Sequence, residues 1–242
     1  MRIESAPDSS PNDDLAFLRL VHLADSALPI GALAHSFGLE SLVCAEILKP
    51  SDLPRFFEEY IQEGGMVDAS ACRSAFRSLD PLRGHFKIST WLEVNDFLSA
   101  LKPAREIRGG SAALGRNFLS AVISTGDYPV LVEAREAAQR AGTLVHHAAA
   151  FGLVSALLGV GEDRGTLAYL HEVAASFVSA CQRLLPLGQT EATQILWNLK
   201  PAIIETACKS RNLAMGDASC FMPLLDWGAM EHPFLATRLF IS

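Results

Sequence analysis

A chain of 242 residues with half its residues apolar and 19% charged has enough apolar mass for one large domain or two small ones. Its net charge of −7, with no run of Lys or Arg, argues against a nucleic-acid partner, which needs a basic face, and leaves room for a basic protein partner. The amino-terminal MRIESAPDSSPNDD lacks an apolar signal core. The longest apolar region, Leu144 to Val160, is broken early by two histidines and is too short to span a bilayer. No membrane is expected, and the chain is placed in the cytoplasm. The five cysteines (Cys44, Cys72, Cys181, Cys208 and Cys220) are odd in number and form no C-x-x-C pair, which reads as reduced, mostly buried thiols.

In chain order, residues 1–12 have little to bury and read as disordered. Asp13 or Asp14 caps a first helix, with Leu15, Leu18 and His22 at helical spacing. The stretch Ser26 to Glu40, SALPIGALAHSFGLE, then mixes Pro29, Gly31 and Gly38 with Leu28, Ile30, Leu33, Phe37 and Leu39. Proline and glycine break regular structure, and the apolar groups hold the segment against the body, so a structured turn between helices is expected. Leu39, Leu42, Val43 and Ile47 resume helical period up to Pro50. Ser51 caps a helix bearing Leu53, Phe56, Phe57, Tyr60 and Ile61, stopped or bent at Gly64-Gly65. A helical run from Val67 to Leu79 follows, and Leu82 to Ser89 reads as a loop or irregular link. Thr90 and Glu93 have capping-box spacing.

Pro103 opens a helix whose Ile107, Ser111, Leu114, Phe118 and Val122 share a face. The small residues Gly109, Gly110, Ser111 and Gly115 lower its intrinsic stability and predict close helix–helix contact. Pro129 starts another helix. Leu144 to Val160, apolar on nearly all sides, predicts a central helix. A long amphipathic helix runs from Leu167 to Leu184 and stops at Pro186. Thr190 opens a helix burying Ile195, Leu196, Leu199, Ile203 and Ile204, with a kink at Pro201. The tail, residues 219–242, carries Phe221, Leu224, Leu225, Trp227, Phe234, Leu239 and Phe240, and must dock on this chain or on a partner. Period-2 alternation is nearly absent. The fold is read as all-α: one domain of about eight to ten helices over residues 13–242, with 219–242 as a docking tail.

No enzyme signature emerges. There is no P-loop and no G-x-S-x-G elbow, and His171-Glu172 begins an H-E-x-x-H in which Ala175 replaces the second His. His146 and His147 point about 100° apart on a helix, which favours a structural role over a shared metal ion. No cofactor, catalytic residue or metal ligand set is expected. Two alternatives are a helical metal-dependent enzyme using His146, His147 or His171, and a module binding an apolar ligand against residues 144–160. Arg105 and Arg108, three apart, and Arg116 offer a contact edge for a partner carboxylate.

The chain resembles the urease accessory protein F family in five blocks, in order. LPIGALAHSFGLE is similar to the family's opening signature, matching at Pro29, Gly31, Ser36, Gly38, Leu39 and Glu40, with Ala32 and Leu33 where Gly and Phe are usual. The others are Ala104-Arg105-Glu106 with Ser111 and Gly115-Arg116; His146-His147-Ala148 with Phe151-Gly152-Leu153; Arg183 through Gln189-Thr190; and Pro223-Leu224-Leu225-Asp226 through Met230 and His232 to Arg238-Leu239-Phe240-Ile241-Ser242. The resemblance implies an all-α accessory protein, not an enzyme, that dimerises and binds accessory protein D (also called H). With D it recruits the GTPase accessory protein G to apo-urease, coupling GTP hydrolysis to nickel insertion. Partner-binding positions are then expected at Pro29, Gly31, His35, Ser36, Gly38 and Glu40 in the opening block. Arg105, Arg116, Arg183 and Gln189 are expected from the middle blocks, and Asp226, His232, Arg238 and Phe240 from the tail.

Overall fold

The computed structural model describes residues 11–80 and 83–242. The expected disorder of the first residues lies, for 1–10, outside the described residues. Helix α1 (Pro11–Leu23) already includes Pro11 and Asn12, and Asp13 and Asp14 sit in its first turn, where their charges suit the helix dipole. Its expected inner face is turned outward: Leu15 and Leu18 are exposed, and Leu20 enters the core instead.

Eleven α-helices follow: α2 (Leu39–Cys44), α3 (Leu53–Gln62), α4 (Gly64–Arg77), α5 (Ile88–Leu101), α6 (Arg105–Ile123), α7 (Pro129–Ala141), α8 (His147–Leu157), α9 (Glu162–Leu184), α10 (Gln189–Asn198), α11 (Lys200–Lys209) and α12 (Pro223–Glu231). Ten of the twelve are ten residues or longer, which is the all-α, single-domain architecture expected. The region expected as a loop holds a minimal antiparallel hairpin, β1 (Leu79–Asp80) on β2 (His85–Phe86).

Several local expectations shift for physical reasons. α2 ends at Cys44, ahead of Pro50, because Glu46 takes a left-handed conformation (φ 57°) that turns the chain; Pro50 opens a short 3-10 turn. α3 and α4 are separate helices broken at Glu63 (ψ −81°). The Thr90–Glu93 capping box does not form, since α5 begins two residues earlier at Ile88. Pro201 sits in the first turn of a new helix, so the expected kink is a full break at Leu199, and Ile204 faces out. The five thiols are all free, but Cys44 and Cys208 are exposed.

The core is organised around α8, buried on every side from His147 to Ala156 and packed by α4, α5, α6 and α9. Two glycines permit the closest approaches. A Cβ on Gly152 would lie 2.0 Å from the Cys72 carbonyl oxygen of α4, and one on Gly115 of α6 would lie 2.2 Å from the Val145 carbonyl oxygen at the entry to α8. The small residues of α6 thus do serve close packing, at Gly115, while Gly109 faces open space. Trp91, fully buried, ties α5 to α7 by donating to the Ala134 carbonyl (3.0 Å). Arg73 of α4, 2% exposed, donates to Glu162 (2.7 Å), Asp163 (2.8 Å), Ser210 Oγ (2.9 Å) and the Ala207 carbonyl (2.7 Å). A buried guanidinium is tolerated because its donors meet acceptors, and this one joins α4, α9 and α11.

Candidate partner-docking site

The segment between α1 and α2 and the tail form one interlocked structure. Gly31 (φ 93°) and Gly38 (φ 94°) adopt left-handed backbone that strains any residue with a Cβ. Ala32 does not, so the alanine standing in place of the family's usual glycine costs no strain; it is buried in a 3-10 turn, and Leu33 is exposed. Phe37 also has positive φ (51°), and its ring packs against Phe177 of α9 and His35. Gly38 meets α12 backbone to backbone: a Cβ there would fall 2.7 Å from Ala229 N, and one on Gly228 would fall 2.6 Å from Gly38 O.

Glu40 is the centre of this lock. Its carboxylate, 3% exposed, accepts from Leu239 N (2.6 Å), Phe240 N (3.2 Å) and the His232 ring at Nε2 (2.9 Å). The other ring nitrogen of His232, Nδ1, lies 2.8 Å from Glu106 Oε2 of α6 but off the hydrogen-bonding direction, so neither atom has a hydrogen bond. Around Glu40 the backbone pairs again. Ile241 N donates to Ala34 O (2.8 Å), while Ser36 N and Phe37 N both donate to Ser242 O. His35 Nδ1 lies 2.6 Å from Ser242 Oγ, and burial holds its pKa below the ordinary value. Arg183 at the end of α9 donates to Leu33 O (2.6 Å) and places its guanidinium 4.3 Å over the Phe240 ring, a cation–π contact.

The structure therefore brings together His35, Ser36, Gly38, Glu40, Arg183, His232 and Phe240 on the inner side of the tail. Pro29, Gln189 and Arg238 are exposed near or beyond its margin, and Arg105 and Arg116 are exposed on α6, without a salt bridge or side-chain hydrogen bond among the described residues. Arg108, which shares a helix face with Arg105 in the sequence, instead bonds the carbonyls of Lys102 (2.7 Å) and Pro103 (3.2 Å) at the end of α5. Asp226 is turned inward on α12 and lines a cavity beneath it. Glu106, beside His232 in the structure, is not singled out by the sequence; its only signal is its place beside Arg105 in the second block of the resemblance, and nothing there marks a partner more than a hundred residues away.

The tail has two faces. Leu225, Gly228, Ala229, His232 and Phe240 are buried inward, while Leu224, Trp227 and Met230, three apart along α12, point outward. Phe221, Phe234, Leu239 and Ile241 join them in the exposed set, with both phenylalanines 80% exposed. The tail is thus latched to its own chain and at the same time presents large apolar groups to solvent.

The paired histidines are both buried. His146 at the start of α8 is held by Ser111 Oγ (3.0 Å) and Ser99 Oγ (2.8 Å), and burial pushes it down to about 3. His147 Nδ1 faces Glu172 of α9 at 3.8 Å, both nearly inaccessible, with His147 Nε2 and Glu172 Oε2 lacking hydrogen bonds. Burial pushes Glu172 up to about 8 and His147 down to about 4, so the pair is uncharged near neutrality. The raised carboxyl gives stability that is full below its ordinary value of 4.5 and is lost as pH rises through about 8. The depressed imidazole acts oppositely, with stability full above 6.5 and lost as pH falls through about 4. Glu172→Gln is expected to remove the loss between pH 4.5 and about 8, leaving the variant more stable than the parent at pH 8–9 by on the order of 3 kcal/mol. Urea melts across pH 5–9 check this, and an unchanged slope between pH 5 and 8 would refute it. Among the described residues no group of three or more His, Cys, Asp or Glu side chains is placed to hold a metal ion, and no helix is long and apolar enough to cross a membrane.

These features define a class: an all-helical protein whose amino-terminal segment and tail interlock and leave large apolar groups exposed. Residues 47–200 match the UreF family. The chain is 30% identical to the urease accessory protein UreF of Nostoc sp. PCC 7120 over 97% of this chain and 100% of the relative. It is 31% identical to that of Trichormus variabilis over 95% and 97%, and 31% identical to that of Bradyrhizobium sp. ORS 278 over 98% and 96%. The chain belongs to the UreF family of urease accessory proteins.

Proposed function

We propose that this chain is a non-enzymatic scaffold in the maturation of urease. It works as a homodimer in the cytoplasm, binding accessory protein D (H) and recruiting the GTPase accessory protein G to apo-urease, so that GTP hydrolysis is coupled to nickel insertion. The observation that carries the reading is the two-faced tail. Its inner face is fixed by buried hydrogen bonds, yet its outer face holds Trp227, Phe234, Leu239 and Ile241 in water. Several large apolar groups exposed on one short segment support an interaction site, and aromatic anchors dominate such interfaces. Arg238, exposed among these groups, suits a partner carboxylate, to which Arg binds through two parallel hydrogen bonds.

The test is co-expression with cognate D and G, followed by size-exclusion chromatography with light scattering. A ternary complex that activates apo-urease with nickel and GTP is expected. Trp227→Asp with Phe234→Asp should abolish it, and Arg238→Ala should weaken it by about tenfold or more, with helical circular dichroism unchanged in each. Full assembly by the double variant would refute the tail as the docking face, and a parent chain that ignores both partners would refute the scaffold reading.

A further inference from the structure

A cavity of ≈ 130 Å³ lies between the tail and the body of the protein. Its walls are largely apolar and aromatic, with Phe37, Tyr60, Val173 and Phe177 among them. Its charged groups come from opposite sides. Lys102, just past α5, donates to Asp68 Oδ1 (2.9 Å), and the second oxygen of Asp68 is taken by the Tyr169 hydroxyl (2.9 Å). An ammonium has three donors, so two of those on Lys102 remain without an acceptor among the described residues. Asp226 of α12 is half-buried and accepts no hydrogen bond among the described residues. Burial raises its pKa, and the charge of Lys102 opposes that rise. The two groups share the cavity without forming an ion pair, leaving spare donors on one side and spare acceptors on the other.

We infer that this cavity is a binding site for a small uncharged molecule that carries a primary carboxamide on an apolar ring. The carbonyl oxygen accepts from Lys102, the NH₂ donates to Asp226, and the ring lies against the aromatic wall. A carboxylate meets Asp226 and Asp68, and an ion of either sign must shed its hydration on entry. An amide offers both complementary edges with no net charge. The size is right for a single ring, since a dry cavity of about 150 Å³ accepts benzene. Because Lys102 belongs to the body and Asp226 to the tail, a bound amide also bridges the two. The cavity lies beneath the tail that carries the proposed docking groups, but the inference rests on its lining and survives if the partner reading fails.

Benzamide is the probe, measured by isothermal titration against toluene and benzoate, which share its ring. Saturable one-to-one binding at least ~10-fold tighter than either control is expected, with slowed amide exchange in residues 223–231. Asp226→Leu should bring benzamide down to the toluene level. Val173→Trp should fill the cavity and remove binding of both. Circular dichroism and a cooperative melt establish that each variant is folded. Benzamide binding no tighter than toluene, or undiminished in either folded variant, would overturn the assignment.

Discussion

Glu40→Ala is expected to release the tail from the body and to abolish the proposed partner assembly while leaving the helical core folded. The carboxylate is the shared acceptor for Leu239 N, Phe240 N and His232. Its loss leaves those donors buried without an acceptor, and hydrogen bonds to a charged group are each worth about 1.5–3 kcal/mol. Summed without full additivity, about 3–5 kcal/mol of docking free energy disappears, enough to raise the open population of the tail by roughly 10²–10⁴-fold. Hydrogen exchange reads this directly: the amides of residues 232–241 should exchange faster by that factor, while those of α8 stay protected, since α8 makes its contacts elsewhere. Glu40→Gln keeps the shape but turns an NH₂ toward donors, and should show most of the same effect. Tail exchange unchanged in both variants would refute the lock.

The second large effect is global. Gly152→Ala is expected to cost about 3 kcal/mol or more, and to lower Tm by roughly 6–12 °C, because the added methyl falls at 2.0 Å from a backbone carbonyl that cannot rotate away. Gly115→Ala should behave alike, its Cβ falling 2.2 Å from Val145 O. Gly109→Ala, in the same helix but with open space around it, should instead stabilise by about 0.5–1 kcal/mol through reduced backbone entropy. Differential scanning calorimetry of the three variants separates packing from helix propensity: if all three move Tm the same way, close approach is not what those glycines provide.

The latch explains why the opening block and the closing block of the family pattern occur in one chain. Glu40 and His232, 192 residues apart, are two halves of one buried contact. The same tail leaves Trp227 and Phe234 outside, so the residues that hold it in place and those left exposed are distinct sets on one short element. If the proposed assembly holds, substitutions in the first set should act through tail geometry and those in the second on affinity alone.

The amino-acid sequence by itself determined the helical class, the central position of residues 147–156, the helix starts at Pro129 and near Gln189, and the family. Each rests on local periodicity, on proline and glycine stops, or on short motifs that survive at about 30% identity. It also pointed to the opening stretch and the tail as expected docking regions, because so much apolar surface there needed a cover. Only the tertiary structure decided which side of each element faces inward: Leu18 and Ile204 outward, Asp226 inward, Arg108 onto the end of α5. It alone paired Glu40 with His232, Lys102 with Asp68, and His147 with Glu172. Such contacts join positions far apart in the chain, and their energies come from burial and from a unique acceptor geometry. Helical period and residue type, which depend on near neighbours, carry no record of either.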